Sequence, residues 1–333
     1  MELKVGLLGG GSWGTAVASL VAKNCATKIW ARRQETVDDI NINHKNEAYL
    51  PGATLTKSLK ACSSIAETIK DADVIIMGVP AQSFRKVLQD AQPHIRPWVP
   101  IVSLSKGLEA GTNMRMTEII EAEMEGHPAG VLTGPNLAKE IIAGRAAASV
   151  IAMVDDTIAA RLQKVFRSGL FRVYTNSDVI GCELGGALKN IIAIACGMGD
   201  GAEAGDNTKA MIITRGLAEL TRLGVAMGGQ PATFSGLAGM GDLVATCSST
   251  QSRNRYVGYN LGKGKNIEDI IAKMSEVAEG VKTAKVVMEL AQAYKVEMPI
   301  AQSVYKVLYE GDTVFDAFKG LIKSDVGSEA EPG

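Results

Sequence analysis

A short apolar run, Val5-Gly6-Leu7-Leu8, leads straight into Gly9-Gly10-Gly11-Ser12-Trp13-Gly14. A helical pattern, Thr15-Ala16-Val17-Ala18-Ser19-Leu20-Val21-Ala22, follows at once. Strand, G-x-G-x-x-G and helix in this order leave few architectures open, because each glycine has a separate steric task. Gly9 allows the tight turn, Gly11 lets backbone approach a pyrophosphate, and Gly14 lets helix and strand pack closely. The unpaired N–H groups and positive dipole end of the helix then favour phosphate oxygens. The stretch reads as a dinucleotide-binding turn. The competing reading is a Gly-rich turn that binds nothing.

The second strand, Thr27-Lys28-Ile29-Trp30-Ala31, ends in Arg32-Arg33. At that point an acidic side chain, about 20 residues past the glycines, holds the adenosine ribose 2′-OH of NAD. Two arginines suit a 2′-phosphate instead, since a planar fork binds phosphate in bidentate fashion and a carboxylate would repel it. NADP(H) is therefore favoured, with NAD(H) left open; the alternative is a solvated basic turn. Leu50-Pro51-Gly52 marks a turn. Further apolar strands are Ala72-Asp73-Val74-Ile75-Ile76-Met77-Gly78-Val79-Pro80, the run from Pro100 to Leu108, and Ala129-Gly130-Val131-Leu132-Thr133. Ser149–Met153 and Phe171–Tyr174 complete the sheet. Strands at intervals of about 25–30 residues, with helical spacers opening at Ala81 and Leu137, predict a parallel, doubly wound, Rossmann-like sheet. Ligands of such sheets lie outside the carboxyl ends of the strands. Pro80, Lys106 and Asn136 all fall there.

After Ile180 the pattern becomes helical, with breaks near 199–206, 228–231, 248–251 and 262–266. At 333 residues the chain exceeds what one core usually supports. The expected fold class is an α/β Rossmann-like N-terminal domain (1–180) followed by an all-α C-terminal domain (181–325), with a frayed polar tail at 326–333. The 35 basic and 36 acidic residues leave a formal charge of −1, which offers no footprint for nucleic acid or an anionic membrane. No uninterrupted apolar run approaches the ~20 residues of a spanning helix. The first strand leaves no room for a signal peptide. Five scattered cysteines, Cys25, Cys62, Cys182, Cys196 and Cys247, read as reduced thiols of a cytoplasmic protein with no metal site. His44, His94 and His127 read as surface residues rather than catalysts.

Lys189 is the most pointed candidate for chemistry. It lies in Gly181-Cys182-Glu183-Leu184-Gly185-Gly186-Ala187-Leu188-Lys189-Asn190-Ile191-Ile192, which is apolar almost all round and so predicts a buried helix. A lysine there is costly unless paired or neutral. Burial favours the neutral amine, the form that takes up a proton; the alternative is a side chain that snorkels to water. Asn190 can orient the lysine or a substrate oxygen, and Lys106 places a second positive charge at a strand end. In Gly239-Met240-Gly241-Asp242 two close glycines put Asp242 where backbone crowds backbone, at an expected helix start. Ser252-Arg253-Asn254 offers a hydroxyl, a guanidinium and an amide in succession, suited to phosphate oxygens, although such triplets are more often solvated turns.

Taken together, Gly9–Gly14, Ser105-Lys106-Gly107, Thr133-Gly134-Pro135-Asn136-Leu137-Ala138, Leu188-Lys189-Asn190, Gly239-Met240-Gly241-Asp242, Ser252-Arg253-Asn254-Arg255 and Val277-Ala278-Glu279-Gly280 resemble the NAD(P)-dependent glycerol-3-phosphate dehydrogenases of bacterial type, in order and over nearly the whole chain. The resemblance implies reversible hydride transfer between NAD(P)H and dihydroxyacetone phosphate, giving sn-glycerol 3-phosphate for phospholipid biosynthesis. It makes Lys189 the proton donor or acceptor and places Lys106, Gly134, Asn136, Asp242, Ser252, Arg253 and Asn254 at the substrate. It places Ser12, Trp13, Arg32, Arg33, Lys106, Ala138, Arg253, Val277 and Glu279 at the cofactor. Asn136 stands where many relatives carry serine. A homodimer is the expected assembly. Two readings compete: a 3-hydroxyacid dehydrogenase of the same architecture, and a non-catalytic NADP-binding regulator.

Overall fold

The computed structural model describes residues 3–274 and 278–323, with the side chains of 320–323 left aside. Its strands are β1 (Lys4–Leu8), β2 (Ala26–Trp30), β3 (Lys60–Cys62), β4 (Val74–Met77), β5 (Ile101–Ser103), β6 (Ala129–Thr133), β7 (Ala147–Met153) and β8 (Phe171–Asn176). They form one sheet in the order β3-β2-β1-β4-β5-β6-β7-β8. Between them run α1 (Ser12–Val21), α2 (Gln34–Asp38), α3 (Ile65–Ile69), α4 (Ala81–Ala91), α5 (Met116–Glu123), α6 (Ala138–Ile142) and α7 (Asp156–Phe166).

Both faces of the sheet are covered, which explains why its central strands read as unbroken apolar runs. Leu7, Ile76 and Val102 join the core on one face. Their neighbours Leu8, Ile75, Met77 and Ile101 join the core on the other. The strand order reverses direction at β1, which pairs with β2 on one side and β4 on the other. This is the point where such sheets open a ligand crevice.

Two details differ from the sequence expectation. β3 is a three-residue edge strand, Lys60–Cys62, too short and too polar to stand out as an apolar run. The sheet is also not wholly parallel, since β6 and β7 run antiparallel while every other pair is parallel. The intervening α6 has five residues, about 7 Å of helix, and does not return the chain to the start of the strand. His44 and His127 are half-buried rather than on the surface, with His127 Nδ1 2.9 Å from the Val99 carbonyl.

The second compact unit consists of residues from Ile180 onward together with Gly107–Asn113, a loop that leaves the first unit after Lys106 and rejoins it at Met114. Its helices are α8 (Val179–Gly201), α9 (Asp206–Ala226), α10 (Pro231–Phe234), α11 (Asp242–Ser248), α12 (Arg253–Gly262), α13 (Ile267–Ala272), α14 (Glu279–Tyr294), α15 (Pro299–Tyr309) and α16 (Val314–Lys323). The four helix breaks expected from the sequence are present, and two more, at 295–298 and 310–313, were not expected. α8 is 23 residues long and, by length and composition, apolar enough to cross a membrane, yet 94% of its most apolar window is buried inside the protein. It is the axle of the unit's core.

α8 and α12 cross with backbone against backbone. A Cβ on Gly197 would lie 2.1 Å from the Arg255 carbonyl oxygen, and one on Gly201 2.2 Å from that of Tyr259. From the other side, a Cβ on Gly258 would lie 2.0 Å from the Ile194 oxygen, and one on Gly262 2.4 Å from that of Met198. Glycines four apart on both helices therefore permit an approach that any side chain would prevent. Elsewhere in the unit, Glu219 of α9 is 2% exposed and accepts hydrogen bonds from the first-turn N–H groups of Ile300 (2.8 Å) and Ala301 (3.2 Å) of α15. Burial pushes its carboxyl up to about 7, against the opposing pull of those two bonds and of Arg222 and Arg215.

Candidate active site

The expected site residues fall on both compact units and are held differently in each. In the first, Gly9 has φ +132°, and a Cβ there would sit 2.2 Å from the Gly78 carbonyl oxygen. A Cβ on Gly14 would sit 2.1 Å from the Gly9 oxygen. Around Gly11, by contrast, the space beyond the backbone is open, as a backbone cradle for an approaching phosphate requires. Gly11 precedes the first turn of α1, where Ser12, Trp13 and Gly14 offer their N–H groups. Trp13 packs edge-on against Phe171 at 6.3 Å, and its buried indole N–H has no acceptor among the described residues. The loop therefore fits a dinucleotide on two counts: a steric cradle and an orphaned donor.

A brace behind this loop is not legible in the sequence. Buried Asn46 donates from Nδ2 to the Gly10 carbonyl (3.1 Å) and to the Thr15 hydroxyl (2.9 Å), and Ser12 Oγ donates to the Tyr49 carbonyl (2.9 Å). Nothing in the local sequence around 46–49 points back to residues 10–15. At the end of β2, Arg32 and Arg33 are exposed, and the Arg33 guanidinium stands 5.3 Å from the centre of the Tyr49 ring. At the ends of β5 and β6, Lys106 Nζ donates to the Gly134 carbonyl at 2.8 Å. Gly134 has φ +130°, and a Cβ there would meet Ser149 Cα at 3.1 Å. Asn136 follows, its Oδ1 accepting from Ser149 Oγ, and Ala138 opens α6.

In the second unit, Lys189 is 4% exposed, so its ammonium does not snorkel. Nζ donates to Thr246 Oγ1 at 2.6 Å and to Asn190 Oδ1 at 3.1 Å, and lies 3.4 Å from Asp242 Oδ1. A lysine in an apolar helix must be either neutral or paired, and the structure supplies the pair. Thr246 went unnoticed in the sequence, because it joins the cluster only through the α11 turn. Its hydroxyl donates to the Asp242 carbonyl at 2.6 Å, one turn back, and so turns its lone pairs to Lys189. Asp242 is the first residue of α11, as expected, and Gly185 of α8 packs against the preceding turn: a Cβ there would lie 2.7 Å from the Ala238 oxygen. Cys247, beside Thr246, is kept a thiol: a hydrogen bond with Cys196 and then burial push its ionisation well up.

The four residues Ser252-Arg253-Asn254-Arg255 divide their tasks. Ser252 caps α12 by accepting from the Arg255 N–H at 3.2 Å. Asn254 Oδ1 accepts from the Gly280 N–H at 2.9 Å, tying α12 to the start of α14. Arg255 pairs with Asp200 at 2.6 Å. Arg253 alone of the four is exposed, on the first turn of α12. Glu279 is the first residue of α14, and Val277 lies outside the described residues. Among the described residues no group of three His, Cys, Asp or Glu side chains is placed to hold a metal ion.

A Rossmann-type sheet with a phosphate-ready glycine turn, and a helical unit with a buried lysine wired to a carboxylate, a hydroxyl and an amide, together define a nicotinamide-dependent dehydrogenase of the two-domain class. The sequence matches the N-terminal region of the NAD-dependent glycerol-3-phosphate dehydrogenases over residues 4–159 and their C-terminal region over residues 178–319. The chain belongs to that family. It is 62% identical over 333 residues, the whole of both chains, to a glycerol-3-phosphate dehydrogenase (NAD(P)+) of Sphingopyxis alaskensis. It is 54% identical over 329 residues to one of Mycobacterium avium, covering 98% of this chain and 96% of the other. The crystal structure of glycerol-3-phosphate dehydrogenase from Coxiella burnetii superposes with a TM-score of 0.92 at 35% identity, covering 97% of this chain and 99% of that one.

Proposed function

We propose that the chain interconverts dihydroxyacetone phosphate and sn-glycerol 3-phosphate with NADP(H) preferred to NAD(H), supplying phospholipid synthesis in the cytoplasm as a homodimer. The observation that carries the reading is the Lys189 cluster. A bound reduced nicotinamide supplies the hydride to C2 of the ketone. As it arrives, the C2 oxygen must gain a proton, and Lys189 holds one. Thr246 Oγ1, Asn190 Oδ1 and Asp242 Oδ1, at 2.6, 3.1 and 3.4 Å, hold Nζ in one place for the transfer. In the oxidative direction the neutral amine takes the proton from the C2 hydroxyl, and Asp242 stabilises the ammonium formed. Arg253 meets the substrate phosphate with a planar fork, fixing C2 while the reacting end moves. Arg32 and Arg33, standing where an acidic residue would select NAD, support the NADP preference. The five free thiols support the reducing compartment. The dimer rests on the resemblance alone.

The test follows oxidation of NADPH and of NADH with dihydroxyacetone phosphate and with unphosphorylated dihydroxyacetone, on the wild type, Arg253→Lys and Arg253→Ala. The reading expects turnover of the phosphorylated ketone, poor turnover of the other, and an Arg253→Ala loss largely confined to the phosphorylated one, with Arg253→Lys between. Equal fractional losses on both substrates would remove Arg253 from the phosphate. Turnover of 3-hydroxybutyrate in preference to glycerol 3-phosphate would replace the substrate assignment with that of a hydroxyacid dehydrogenase.

A further inference from the structure

We infer that Ser149 is a positioning residue for substrate recognition: by donating to the Asn136 carbonyl oxygen, it turns the amide of Asn136 so that only N–H donors face the ligand. The inference rests on the reading that Asn136 touches substrate. Ser149 is fully buried on β7, one residue before Val150, which pairs with Thr133 at the end of β6. It therefore sits opposite the turn that carries Gly134 and Asn136, and Gly134 lacks a side chain just where Ser149 Cα approaches.

A carboxamide has an acceptor end and a donor end of nearly the same shape, so its usefulness in a site depends on which end is fixed. Here Ser149 Oγ occupies Oδ1. Nδ2 is buried and has no acceptor among the described residues, a costly state for a donor until a ligand oxygen reaches it. Two N–H groups with no competing acceptor suit a carbonyl or phosphate oxygen, the groups that distinguish dihydroxyacetone phosphate from a simple polyol. A serine at position 136 would lack this polarity, because a hydroxyl rotates to donate or to accept. In this chain the pair Asn136–Ser149 provides a fixed donor at that turn.

Steady-state kinetics on the wild type, Ser149→Ala, Asn136→Ala and the double variant test this, with thermal stability and NADPH KM measured alongside. Ser149→Ala is expected to lower kcat/KM for dihydroxyacetone phosphate about three- to tenfold, the worth of one neutral hydrogen bond. NADPH KM should be unchanged. In the Asn136→Ala background the same substitution should cost less than about twofold, because nothing remains to orient. Ser149→Cys, which keeps the volume and a weaker donor, should lose less than Ser149→Ala and covers the case of poor folding. Equal losses in both backgrounds would make Ser149 a packing residue and overturn the inference, as would an unaffected Ser149→Ala beside an impaired Asn136→Ala. An Asn136→Ala enzyme with unaltered kinetics would instead overturn the placement of Asn136 at the substrate, and the inference with it.

Discussion

The two sets of candidate site residues, one on each compact unit, are made from opposite materials. The proposed cofactor half is made by leaving side chains out: Gly9, Gly14 and Gly78 touch through bare backbone, and the face of Gly11 is left open. The proposed proton half is made by putting polar side chains where apolar ones belong, with Lys189, Asn190 and Asp242 each under 5% exposed. The first kind of site is defined by sterics and tolerates any chemistry but no volume. The second is defined by pairing and tolerates volume poorly and a missing partner even less.

Lys189→Ala breaks the contrast most sharply. It should lower kcat by about 10²–10⁴ while NADPH binding, followed by fluorescence or dialysis, survives. Near-normal kcat in the folded variant would remove the lysine from the chemical step. Gly14→Ala is the mirror experiment. Its methyl group would need 2.1 Å to the Gly9 oxygen, so the loop must open, at a cost of about 1–3 kcal/mol. The expected result is NADPH and NADH affinities that fall together by tenfold or more, with the kcat at saturation little changed. A fall in kcat at saturating cofactor would show that the two halves are not separable in this way.

Arg32→Ala with Arg33→Ala sharpens the cofactor half alone. Loss of charge-assisted bonds worth about 1.5–3 kcal/mol should raise the NADPH KM roughly tenfold or more and leave NADH nearly as it was. Equal effects on both cofactors would show that the arginines do not read the 2′-phosphate. The smallest effect expected is at Glu219, which belongs to neither half and serves as a control for buried charge without chemistry. Its folded-state ionisation lies at about 7, above the ordinary 4.5, so the folded protein binds the extra proton between those values. Its contribution is fully present below about 4.5 and is lost as pH rises through about 7. Glu219→Gln should therefore flatten the dependence of Tm on pH across that window, and an unchanged slope would assign the dependence to other groups.

The contrast also explains what could be read from the sequence. A steric site is written locally: G-x-G-x-x-G lies within six positions, flanked by its strand and helix, and four of the breaks between helices fall at visible Gly, Pro and Ser clusters, whereas the one at 295–298 carries no such mark. The buried lysine was legible because an isolated charge in an apolar helix demands a reason. Its partners were less so. Asp242 stood out through its glycines, but Thr246 is an ordinary helix residue until α11 turns it toward a lysine 57 positions away. Asn46 and Ser149 are likewise visible only once strands and loops are in register. β3 left no trace because three half-exposed residues at a sheet edge need no apolar pattern.

The glycine crossing of α8 and α12 has a thermodynamic consequence for binding. Lys189 sits on one of these helices and Arg253 opens the other, and the four close approaches between them leave no room for sliding or for alternative side-chain packings. Lys189 and Arg253, the proposed proton source and phosphate anchor, are thus parts of a preorganised body, fixed relative to each other during folding. Little conformational entropy remains to be surrendered there when substrate arrives, so more of the intrinsic affinity of a small, mobile triose phosphate appears as observed affinity.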